Sequence, residues 1–98
     1  MPDVGKWRYV EYTPWQYALQ ASEVQQMDIR QIFAQNLRNA RQAKGFSQEE
    51  LAHRAGLDRT YISSLERAVY SATIDVVDRL AVAMDMETSA LLERPGKV

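Results

Sequence analysis

The residues best suited to chemistry crowd into one stretch, Gln48 to Arg67: Q-E-E-L-A-H-R-A-G-L-D-R-T-Y-I-S-S-L-E-R. Arg59, Thr60, Ser63 and Ser64 offer donors and acceptors at helical spacing. The Arg59 fork matches guanine O6 and N7, and Thr60 suits a base edge or a thymine methyl. Ser63 and Ser64 are short and reach a base only from a closely seated helix. Gln48 stands at a helix start, where its amide and the free backbone N–H groups together can grip a phosphate. Tyr61, Arg67, Tyr70 and Ser71 are further phosphate candidates. Each has an ordinary alternative: Arg59 as a solvated helix-start residue, Tyr61 as packing for the preceding helix.

Other chemistries find little here. There is no cysteine, so disulfides and thiolate metal sites are excluded, and His53 is the only histidine. A lone solvated imidazole makes neither a metal site nor an acid–base or nucleophile set. The reading is therefore no enzyme, no metal and no cofactor.

Two short helices must carry the polar residues. Ser47 is an N-cap, and Glu50 three residues on completes an S-x-x-E capping box. Leu51, Ala52 and Ala55 share one face. Gly56 suits the residue past the helix end, and Asp58 caps the next helix, whose buried stripe is Ile62 and Leu65. Small Ala52 and the Gly56 turn let the helices cross closely. The second helix is then held outward with a polar face, a shape that the major groove of B-DNA admits.

These residues resemble the Cro/C1-type, or XRE-type, helix-turn-helix DNA-binding proteins. The likeness runs from about Ile29 to Leu92 in three collinear blocks: N-L-R-N-A-R-Q-A-K-G-F-S-Q-E-E-L-A at 36–52, G-L-D-R-T-Y-I-S-S-L-E-R at 56–67, and T-I-D-V-V-D-R-L-A-V-A-M at 73–84. The resemblance implies an all-α, compact five-helix lambda-repressor-like domain with its recognition helix at 58–67. It also implies a partly buried salt bridge between Arg41 and Glu66, and a phosphate role for Gln48. Two positions depart from the family: Ala68 replaces the usual glycine after E-R, and Ala72 replaces a proline often found before the next cap. With alanine at 68, either the recognition helix runs longer or the loop turns differently, which puts phosphate contacts from 69–72 in doubt.

The flanking segments complete the domain, 28–94. Asp28 with Gln31 forms a weaker capping box. A first helix from about Ile29 to Ala43 buries Ile29, Ile32, Phe33, Leu37 and Ala40, and stops at Gly45. Phe46 plugs the link. Thr73 caps a fourth helix with Ile74, Val77, Leu80, Ala81 and Met84 facing inward and Val76 and Val82 outside that stripe. A final short helix, capped by Thr88, carries Met86, Leu91 and Leu92. These three are candidates for a dimer seam, as the family often uses this end, or for an ordinary core rim. Residues 95–98 read as a tail.

Residues 1–27 form an N-terminal extension rich in aromatics: Trp7, Tyr9, Tyr12, Trp15 and Tyr17 are five of the nine in the chain. Thr13-Pro14-Trp15-Gln16 starts a short helix to about Gln25, with Trp15, Ala18 and Leu19 on one side. Such a segment is too aromatic for ordinary disorder. It either covers its own domain or serves as an arm for a second subunit or another protein partner. A third reading takes Met27 as the natural start and residues 1–26 as an upstream extension of the reading frame.

Net charge is −1, yet it is polarised: six basic residues against four acidic over 38–67, then three against five over 68–98. That pattern favours a specific reader with modest phosphate contacts over charge-driven binding. No apolar run spans a bilayer, and M-P-D-V-G-K-W is no secretory signal, so the cytoplasm is the default. The expectation is a small transcriptional regulator, a repressor by preference, binding double-stranded DNA as a homodimer on a pseudo-palindromic site. Alternatives are an antitoxin, a restriction–modification controller protein of the same fold, or a protein-interaction module whose helix-turn-helix no longer reads DNA.

Overall fold

The computed structural model describes residues 27–94. The proposed extension helix and the tail at 95–98 lie outside the described residues. Within them the chain forms α1 (Ile29–Ala43), α2 (Gln48–Ala55), α3 (Arg59–Glu66) and α4 (Ile74–Ala83), followed by a 3-10 helix (Thr88–Leu92). There is no strand among the described residues. The architecture is thus four α-helices and a 3-10 turn rather than five α-helices.

Each α-helix begins on a polar cap. Asp28 and Gln31 cap reciprocally, at 3.0 and 3.1 Å. The Gln31 backbone N–H holds the Asp28 carboxyl below its ordinary pKa. Ser47 accepts from the Glu50 N–H at 3.0 Å, but only this half of the box forms: the Glu50 carboxylate turns to Arg54, 2.6 Å away. Asp58 accepts from the Thr60 N–H and Thr73 from the Val76 N–H. Thr88, assigned above to the last cap, sits inside the 3-10 helix and donates to Asp78 Oδ1 at 2.8 Å.

The helices also end alike. Gly45, Gly56, Ala68 and Asp85 follow them in left-handed conformation. In each case the next N–H reaches back to the carbonyl five residues earlier: Phe46 to Arg41, Leu57 to Ala52, Val69 to Ser64 and Met86 to Ala81. This is the double-bonded cap that satisfies the last free carbonyls of a helix. Ala68 therefore performs the glycine turn itself, with φ at 60°. Helix α3 does not run on, and its loop turns as a glycine would.

One core holds the helices together: Phe33 and Leu37 of α1, Leu51, Ala52 and Ala55 of α2, Ile62 and Leu65 of α3, Val77, Leu80 and Ala81 of α4, with Met84 and Leu91. Phe46 packs at its edge, and Arg54 lies over the ring, 4.4 Å from its centroid. Two residues assigned to apolar stripes are outside. Ile74 is 83% exposed and Ile29 51%. Both occupy the first position of their helix, one turn short of where the neighbouring elements begin to cover it. Leu91 is fully buried in the core and so is withdrawn from any dimer seam. Asn36 fixes that end of the chain, donating to the carbonyls of Leu91 and Glu93 at 2.9 and 2.7 Å.

Candidate nucleic-acid interface

The turn between α2 and α3 is set by backbone and clamped from α4. Gly56 adopts φ 69°, and a Cβ built there falls 2.9 Å from Arg79 Nη2. That same nitrogen donates to the carbonyls of Ala55 and Gly56, at 3.0 and 2.9 Å. Glycine is thus favoured twice, for its dihedral and because a Cβ would push the Arg79 guanidinium off these carbonyls. The arginine also places a cation at the negative end of α2. Sequence reasoning missed Arg79. It sits on the polar side of α4, more than twenty residues from its partners, and no local spacing signals such a contact.

At the far end of α3, Glu66 is buried with its carboxylate fully engaged. Its side chain is 2% exposed and that of Arg41 12%. Arg41 Nε and Nη2 donate to Oε2 and Oε1 at 2.6 and 3.0 Å, a bidentate fork, and Nη1 donates to the Phe46 carbonyl at 2.9 Å. The hydrogen bonds to Glu66 raise the Arg41 pKa further above its already high value. Arg38 adds a donor to the Glu66 backbone carbonyl at 3.1 Å and a weaker approach to the carboxylate at 3.7 Å. Such forks fix geometry as well as charge.

Gln48 connects this buried pair to the surface. Its Nε2 donates to Glu66 Oε1 at 3.1 Å, and its Oε1 accepts from Arg59 Nη1 at 3.3 Å. The amide is thereby oriented, with one N–H left over. It sits on the first turn of α2, beside free backbone N–H groups. Arg59 and Thr60 are exposed at the start of α3, and Ser63 is half-buried one turn on. Ser64 is not with them. It is buried, because it shares the inward side of α3 with Ile62 and Leu65, and its hydroxyl lies 3.5 Å from Arg67 Nη2. Ser64 is therefore withdrawn as a base contact.

Tyr61 is half-buried against the core, and its ring lies 6.4 Å from that of exposed Tyr70. Arg67 and Ser71 are exposed on the exit of α3. The structure thus gathers Gln48, Arg59, Thr60 and Ser63 around the junction of two helix N-termini. Arg67, Tyr70 and Ser71 lie around the opposite end of α3. Among the described residues no cluster of side chains could hold a metal ion, and no helix is long and apolar enough to cross a membrane.

Known proteins share this fold. The helix-turn-helix family profile matches residues 37–91. A hypothetical transcription factor of Neisseria meningitidis is 40% identical over 70 residues, covering 71% of this chain and 66% of its own length. The control protein C.SmaI of Serratia marcescens is 43% identical over 70 residues, covering 71% of this chain and 83% of its own. Among solved structures, the restriction–modification controller protein C.AhdI of Aeromonas hydrophila superposes with a TM-score of 0.62 at 42% identity, over 63% of this chain and 94% of that one. With the matched profile, the three sequence blocks and the capped, clamped turn in agreement, the chain belongs to the helix-turn-helix family, of the Cro/C1 type that its sequence resembles.

Proposed function

We propose that the chain is a sequence-specific reader of double-stranded DNA, acting as a small transcriptional regulator with α3 in the major groove. The observation that carries this is the exposed, polar front of α3 mounted on a buried ion pair at its rear. Arg59 and Thr60, with Ser63 behind them, face bases. Gln48 and the free N–H groups of α2 take a phosphate on one side, and Arg67, Tyr70 and Ser71 do so on the other. Tyr61 contributes its hydroxyl from a ring that also packs inward. Gln48 holds Arg59 at the position from which the guanidinium fork addresses a guanine, so phosphate grip and base reading are linked through one amide.

The relatives named as control proteins favour regulation within a restriction–modification system over the antitoxin reading. A homodimer matches a pseudo-palindromic operator. With Leu91 in the core, the seam falls to half-buried Met86 and its exposed neighbour Val82, while Leu92 lies on a separate groove. No catalytic role is proposed, and the cytoplasm, where DNA is reached, is the proposed location.

Selection of bound duplexes from a random pool tests this reading. The expected outcome is one enriched motif with two-fold symmetry and half-sites roughly 10 base pairs apart. Affinity for random DNA should also fall steeply with salt. A pool that stays random, with no salt slope, identifies a protein-interaction module instead.

A further inference from the structure

An apolar groove opens where the chain enters and leaves the domain. It is lined by Ile29 and Phe33 of α1, Ala72, Val77 of α4 and Leu92, and encloses about 80 Å³. Two of its walls stand well out of the core, Ile29 at 51% exposure and Leu92 at 40%. A groove with such walls gives ordered water few hydrogen-bond partners. It lies away from the start of α3 and shares only Ser71 with the candidate DNA contacts.

We propose that the groove is the docking site of this chain's own N-terminal segment, with the apolar stripe Trp15, Ala18 and Leu19 laid across it. Four observations select that occupant. Met27 is anchored at this end, its carbonyl accepting from Arg94 Nη1 at 3.1 Å, and Ile29 two residues later is a groove wall. The segment that precedes it holds both tryptophans and three of the five tyrosines of the chain. Twelve positions lead from Trp15 to Met27. They span about 18 Å as a helix and up to ~40 Å extended, so the stripe reaches the groove in either form. A tethered segment also acts at an effective concentration of order millimolar, which a second copy at micromolar concentration does not match. The docked segment covers the apolar end of the domain, away from Arg59 and Thr60 at the start of α3. It leaves Val82 and Met86 free for a partner subunit.

The tryptophans make the proposal testable in the full chain. Because Trp7 and Trp15 are the only two, tryptophan emission reports on the N-terminal segment and nothing else. Native emission should lie clearly to the blue of the same protein in denaturant, and acrylamide should quench it several-fold less. Leu92→Asp and Ile29→Asp should each shift emission to the red with the helical circular dichroism unchanged. Leu92→Ala, which truncates without adding charge, should act in the same direction. Dilution through the dimer range and Val82→Asp should leave emission alone.

Three results overturn the proposal. One is native emission equal to denatured emission. Another is a groove variant that converts dimer to monomer in light scattering while emission stays put, which makes a second copy the occupant. The third is a red shift produced by dilution or by Val82→Asp, which places the segment on a partner subunit. None of these readouts depends on DNA, so failure here and failure of the DNA-reading proposal are distinguishable.

Discussion

The two ends of α3 are built on opposite terms. At the rear, Glu66 is buried and held by Arg41, Arg38 and Gln48, and the backbone then turns through left-handed Ala68. At the front, Asp58 caps the helix, and Arg59 and Thr60 stand in solvent with a single side-chain link, to Gln48. Rigidity sits in a buried carboxylate that no base edge reaches, and unsatisfied hydrogen-bonding capacity sits where a base edge can. Free energy stored at the rear therefore sets stability, and groups left open at the front set recognition. The two should separate under substitution.

The largest effect belongs to the rear. Arg41→Ala strands a carboxylate that has almost no access to water. Removing one partner of a buried pair costs about 3–5 kcal/mol. Arg38 and Gln48 still face Glu66, which draws the expectation toward the lower end. For a domain of this size the melting temperature should fall by roughly 10 °C or more. Measured by circular dichroism, a shift within error of the wild type would break the contrast between the two ends.

At the front the expected change is in discrimination, with stability untouched. Arg59→Ala should lose about 1–3 kcal/mol of preference at one or two base pairs, the worth of a bidentate arginine–guanine pair. Melting should stay within about 0.5 kcal/mol of wild type, since Arg59 is exposed and makes one long side-chain hydrogen bond. Binding to the selected site and to single-base variants reads this directly. A uniform loss across all sequences would reassign Arg59 to the backbone.

What the residue pattern revealed follows the same division. Capping residues and apolar stripes are local, so α1 to α4 and their starts were legible, as were the turns at Gly45 and Gly56; the end of α3 was left open by Ala68. The Arg41–Glu66 pair came through the family resemblance, since 25 residues of sequence separate its partners. Arg79, Arg38 and Asn36 were invisible for the same reason: each reaches backbone carbonyls that are distant in sequence. Errors fell where helical periodicity is read without knowing what packs nearby. Ile29 and Ile74 keep the right phase but stand at helix ends that neighbours do not cover. Ser64 looked like a sibling of Ser63, yet a rotation of about 100° carries it from the half-exposed side to the core. Leu91 and Leu92 divide in the same way, one inside and one on the groove.

The smallest effect tests whether the rear of α3 is held by its residues or by its geometry. Ala68 takes φ 60° in the same double-bonded cap that Gly56 makes after α2, with Ala68 N–H to Leu65 at 3.1 Å and Val69 N–H to Ser64 at 3.0 Å. An L-residue with a Cβ meets its following carbonyl oxygen in this conformation, at about 1–2 kcal/mol. The turn forms regardless, with the two cap bonds satisfying the last carbonyls of α3. Ala68→Gly removes the steric cost and adds glycine's extra conformational entropy in the unfolded chain, about 0.5–1 kcal/mol in the opposite direction. The net gain should be roughly 0.5–1 kcal/mol, seen as a melting temperature a few degrees higher with the DNA-binding profile unchanged. A lower melting temperature would mean that the alanine methyl makes contacts worth more than its strain. A changed binding profile would mean that the turn after α3 sets the seating of the reading surface, a second link between its two ends beside the Gln48 amide.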